Sequence, residues 1–74
     1  MEFDYSKLKG RIIEKFGSQN GFADALGVAF TVVSAKLTGL RAITKNDIIG
    51  WSNLLEIPVE EIGVYFFKLK VKEA

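Results

Sequence analysis

Apolar residues recur along the first half of the chain with the spacing of short helices. Leu8, Ile12 and Phe16 fall at i, i+4 and i+8, while Lys7, Lys9, Arg11 and Lys15 take the intervening polar positions. That pattern predicts a helix over about residues 6–16, with Ser6 as N-cap and Gly17 as the left-handed residue that ends it. Ser18 opens a second helix over about 19–26, with Phe22, Ala25 and Leu26 on its apolar side. Gly21 weakens it from within, so packing must hold it. A third helix is expected over about 30–38, between Gly27 and Gly39, with Val32, Val33 and Leu37 turned inward. Its Thr31-Val32-Val33 run is β-branched and would also suit a strand. Thr44 followed by Asp47 is close to a capping box before Ile48, Trp51, Leu54 and Leu55, which marks a fourth helix over about 45–55. Pro58 suits the first turn of a fifth over about 59–66, with Glu60 and Glu61 near its positive end.

After Phe66 the period changes. Phe67, Leu69 and Val71 alternate with Lys68, Lys70 and Lys72, as in a strand or extended tail with one apolar and one charged face. A lone strand in a helical chain needs a partner for its backbone. The expectation is therefore a homodimer in which Phe67, Leu69 and Val71 pair with the same strand of a second copy. The alternatives are a strand folded back on its own bundle and a solvated tail.

Composition narrows the function classes. The 74 residues include no Cys and no His, which removes disulfides, the usual zinc sites, thiolate nucleophiles and imidazole acid–base chemistry. A chain of this size has one core and buries only about 60% of its unfolded surface. Glu60 and Glu61 are adjacent and do not face one site, and no glycine loop has phosphate-binding spacing. No enzyme, cofactor or metal is expected. The apolar runs are far shorter than the roughly 20 residues that span a bilayer, and MEFDYSKLKG lacks the apolar region of a signal peptide. These features predict a cytoplasmic protein with no membrane partner. Charge is balanced over residues 1–28, sums to +2 over 29–55 and to −1 over 56–74. The middle excess is compatible with a phosphate-facing surface, though weak for a DNA binder.

Ala23, Gly27 and Val33 meet the physical needs of a helix-turn-helix: a small residue at the crossing, a glycine in the turn and a β-branched filler between helices. An ordinary αα corner meets the same needs. The stretch from Gln19 to Gly39, with Gln19, Ala23, Gly27, Val33, Ser34 and Gly39 in register, resembles the Cro/CI-type (XRE-like) helix-turn-helix family of phage and bacterial repressors. The resemblance extends over nearly the whole chain and is to small phage-encoded regulators of Gram-positive hosts. It implies an all-α, compact five-helix lambda-repressor-like domain, with or without the C-terminal strand. It also implies a dimer that binds double-stranded operator DNA and regulates transcription with the third helix in the major groove. By position it implies DNA contacts from Gln19, from Ala29, Phe30, Thr31, Ser34 and Ala35 along the third helix, and from Thr38, Arg41 and Lys45 beyond it. One departure stands out. No Arg, Asn or Gln lies on the expected base-reading face, so bidentate base contacts are missing there. The small and apolar Ala29, Phe30, Val32 and Ala35 suit a protein partner equally, which supports the alternative: an interaction module that modulates a repressor without reading DNA.

Overall fold

The computed structural model describes residues 3–70. It is an all-α, five-helix bundle: α1 Ser6–Phe16, α2 Gln19–Leu26, α3 Phe30–Leu37, α4 Lys45–Leu55 and α5 Ile62–Phe66, the last entered through a 3-10 turn at Val59–Glu61. Local chemistry sets the helix ends. The Ser18 hydroxyl accepts from Gly21 N at 3.0 Å. Thr44 and Asp47 form a full capping box, with Asp47 N donating to Thr44 Oγ1 at 3.2 Å and Thr44 N to Asp47 Oδ2 at 2.8 Å. Helix α1 departs from expectation: Tyr5 is its cap residue, and the Asp4 carboxylate accepts from Ser6 N at 2.9 Å.

The core joins all five helices. Leu8 and Ile12 of α1, Phe22 and Ala23 of α2, Val33 and Leu37 of α3, Trp51 and Leu55 of α4, and Tyr65 and Phe66 of α5 are all buried. Aromatic rings run through its centre. Phe22 stands edge-on to Trp51 with centroids 5.1 Å apart, and Phe16 and Phe66 extend the row. Gly21 is explained by the α1–α2 corner, where an added Cβ would lie 2.7 Å from the Phe16 carbonyl oxygen. Its cost in helix propensity allows α2 to start hard against the end of α1.

Arg11 reaches across the bundle and caps α4. Its Nε donates to the Leu55 carbonyl at 2.9 Å and an Nη to that of Glu56 at 3.2 Å. These carbonyls are left without helical partners at a C-terminus, where a cation is also favoured by the helix dipole. Glu56 itself turns left-handed at φ 54, and its carboxylate meets Lys15 Nζ at 2.5 Å.

One core atom is unsatisfied. Ser52 is 7% exposed, and among the described residues its hydroxyl has no hydrogen-bond partner. A buried hydroxyl without a partner costs on the order of 1–3 kcal/mol. The variant Ser52→Ala should therefore gain about 1 kcal/mol, read as a higher urea midpoint with an unchanged m-value.

The C-terminal segment folds back on its own bundle, one of the alternatives that the alternating pattern left open. Asp4 N donates to the Lys68 carbonyl at 2.6 Å, Phe3 and Leu69 form an isolated antiparallel bridge, and the Phe3 ring packs edge-on against Phe67 at 5.9 Å. The partner is the chain's own first residues, which an α-helical period could not foretell. Val71 lies outside the described residues. Among those described there is one bridge and no sheet.

Candidate protein-interaction surface

Helices α2 and α3 form the helix-turn-helix corner. Gly27 takes φ 75 and donates to the Asp24 carbonyl, Val28 N donates to that of Ala23, and α3 starts at once with Ala29 as an extended N-cap. Buried Ala23 and Val33 fill the crossing. The corner leaves the N-terminal end of α3 outward. Val28 and Phe30 are 41% and 42% exposed there, flanked by exposed Ala29 and Thr31. Beside it a shallow cleft of about 200 Å³ runs between α3 and α4, walled by Val28, Val32, Asn46 and Gly50 over Trp51.

Electrostatics decide what this surface can meet. Lys36 is the sole basic residue of α3, and it does not face solvent. Its Nζ lies 2.5 Å from Asp47 Oδ2, with side chains only 14% and 19% exposed. Burial by itself would raise the Asp47 carboxyl, but the hydrogen bonds from Lys36 and Thr44 outweigh it and hold the group below the usual carboxylate range. The pair ties α3 to the capping box of α4 and leaves α3 with no net charge to offer a phosphate backbone. Sequence reading missed this pair, although Asp47 was already marked as a cap. The signal available was a single acid in a segment of three bases.

The other expected contact residues are dispersed. Gln19 is half-buried in the first turn of α2, and Ser34 and Ala35 are half-buried on α3. Thr38 closes α3, its hydroxyl donating to the Ser34 and Ala35 carbonyls at 3.0 and 3.2 Å. Lys45 is exposed in the first turn of α4. Arg41 lines a different cleft, beyond the C-terminal end of α3. The structure therefore groups Ala29, Phe30 and Thr31 with Val28, and does not bring Arg41 into the α3–α4 cleft. Among the described residues no group of acids could hold a metal, and no helix is long and apolar enough to cross a membrane.

The chain is similar to a solved structure described as the modulator of repression (MOR) of the temperate bacteriophage TP901-1 from Lactococcus lactis. The identity is 36%, the TM-score 0.75, and the match covers 97% of each chain. No curated protein matches. This likeness corrects the identification with Cro/CI-type operator-binding regulators. A relative this close over its whole length is described as modulating repression, not as a repressor. The helix-turn-helix corner stands as scaffold. The expectations of a DNA-binding regulator, with operator DNA as its partner and α3 in the major groove, are overturned. The physical reason agrees: the one α3 cation is spent on Asp47, and the outward end of the helix is apolar. The protein is not an enzyme, in keeping with that regulatory relative. Residues 1–69 match the profile of the family described as "Protein of unknown function (DUF739)", and the chain belongs to that family.

Proposed function

We propose that this protein is an interaction module that modulates a repressor by binding it, without itself reading DNA, in the bacterial cytoplasm. The observation that carries this reading is the exposed apolar N-terminal end of α3, Val28 and Phe30, on a helix whose only cation is paired internally. Its similarity to a phage modulator of repression points to the partner's class. Phe30 is the anchor, since a large aromatic that desolvates against a partner dominates binding energy. Ala29 and Thr31 flank it and allow close approach, while Ser34 and Ala35 lie further along the same helix. Gln19, Thr38 and Lys45 have no role in this contact.

The test is titration calorimetry with candidate repressors from the genome that carries this protein. Wild type should bind one of them, and Phe30→Lys should weaken binding by about 2 kcal/mol or more, some thirtyfold, with an unchanged far-ultraviolet spectrum. The operator duplex alone should give no heat with either variant. Absence of repressor binding by the wild type, or loss-free binding by Phe30→Lys, rejects the reading.

A further inference from the structure

A second and larger cleft, of about 610 Å³, opens on another side of the molecule. It lies between the N-terminal segment, the loop that follows α3 and the end of α5. Its floor is apolar: Leu37 and Phe66 are buried, and Ile43 and Ile48 are half-buried. One wall is aromatic, with Phe3 and Phe67 at 38% and 52% exposure held in place by the bridge between the two chain ends. The rim is cationic. Lys9, Arg41 and Lys70 line it, and among the described residues the one carboxylate there is Asp4. That carboxylate is already engaged, since Ser6 N donates to it, and hydrogen bonding to Ser6 with help from Lys68 and Lys70 holds it ionised. Lys9 and Arg41 have no ion-pair partner among the described residues.

We infer that this cleft docks an acidic segment of a protein partner, one that places a bulky apolar side chain on the Leu37–Phe66 floor and carboxylates against Lys9 and Arg41. Charge complementarity chooses the occupant. A positive rim around an apolar floor rewards a ligand that is negative at its edges and apolar at its centre. The volume lies in the range of concave sites that enclose small ligands, which suits one or two side chains of a peptide. A nucleic-acid backbone would satisfy the rim but leave the floor and the aromatic wall unused. The inference rests on the reading that the protein acts on a protein partner. It adds a contact separate from α3's N-terminal end, so a partner could be gripped at two places.

The test uses the full chain and an array of short peptides that combine Asp or Glu with Leu, Phe or Trp. Matched peptides carry Lys in place of the acids, and amide chemical shifts report the site. Acidic–apolar peptides should bind and shift resonances of Lys9, Gly39 to Ile43 and Phe67, and the basic peptides should not. Arg41→Glu and Lys9→Glu should each weaken binding about five- to tenfold. Lys45→Glu makes the same charge change outside the cleft and should leave binding intact, and high salt should weaken the wild type. Phe30→Lys should also leave peptide binding intact, so failure of the cleft and failure of the α3 contact are told apart. No bound peptide, binding indifferent to Arg41 and Lys9, or shifts of the same resonances by duplex DNA at lower concentration would each overturn the proposal. So would a self-associated dimer that Arg41→Glu dissolves, which would assign the cleft to a second copy.

Discussion

Phe22→Ala should bring this protein to the edge of unfolding. Phe22 is fully buried and packs between two rings of the aromatic row, Phe16 at 5.4 Å and Trp51 at 5.1 Å between centroids. Truncating a buried Phe costs about 3–5 kcal/mol, because the transfer energy is lost and the cavity does not fully collapse. A domain of this length has on the order of 4–11 kcal/mol of stability in all. The aromatic neighbours sit on α1 and α4, so the cavity would loosen the packing that holds α2, a helix with a glycine in its first turn. Urea unfolding followed by circular dichroism should show a sharply lowered midpoint or no folded baseline at room temperature. A variant that kept its midpoint within about 1 kcal/mol of wild type would contradict this account of the core.

Asp47→Ala should cost about 2–3 kcal/mol and also change how stability responds to acid. The substitution removes the half of the α4 capping box in which the Asp47 carboxylate accepts from Thr44 N, and strands the Lys36 ammonium, which is 14% exposed, without its counterion. The pH dependence follows from the direction of the shift. The Asp47 carboxyl is held below its ordinary 3.8 in the folded state. The unfolded chain therefore takes up the proton first on acidification. Its contribution is fully present above the unfolded value and is lost as pH falls through the lower, folded one. Wild type should thus lose stability below about pH 4 more steeply than Asp47→Ala. Some slope remains in the variant, because Asp4 is held low by Ser6 and Glu56 by Lys15. Midpoints of both proteins from about pH 7 to pH 3 would check it. Parallel curves would show that the pair contributes nothing to the acid response.

The two effects bear on function differently. Loss of Phe22 removes the scaffold, and with it every surface. Loss of Asp47 frees Lys36 to face the α3–α4 cleft, whose lining both residues share. An unpaired lysine beside Val28 and Val32 would place a positive charge where the wild type is neutral. Partner binding by Asp47→Ala, compared at a temperature where both proteins are folded, would separate this electrostatic change from the loss of stability.

The all-α, five-helix architecture was legible in the sequence because its cues act over a few residues. Helical spacing in Leu8, Ile12 and Phe16, the Ser18 and Thr44 caps, and the left-handed Gly17, Gly27 and Gly39 all depend on local geometry. The helix-turn-helix corner was legible for the same reason, through Ala23, Gly27 and Val33. The identification with operator-binding regulators went too far because that corner specifies how two helices cross and not what their outer face meets. The dearth of base-reading side chains on α3 was visible and pointed the other way. Only the tertiary structure decided the rest, because each remaining feature joins residues far apart in the chain. Arg11 caps α4 from 44 positions away, Asp47 withdraws Lys36 from the surface of a different helix, and Phe3 forms the bridge with Leu69 of the alternating tail. A two-residue period announces an unpaired edge, but the choice of partner is made by whichever backbone the folded helices bring within hydrogen-bond reach.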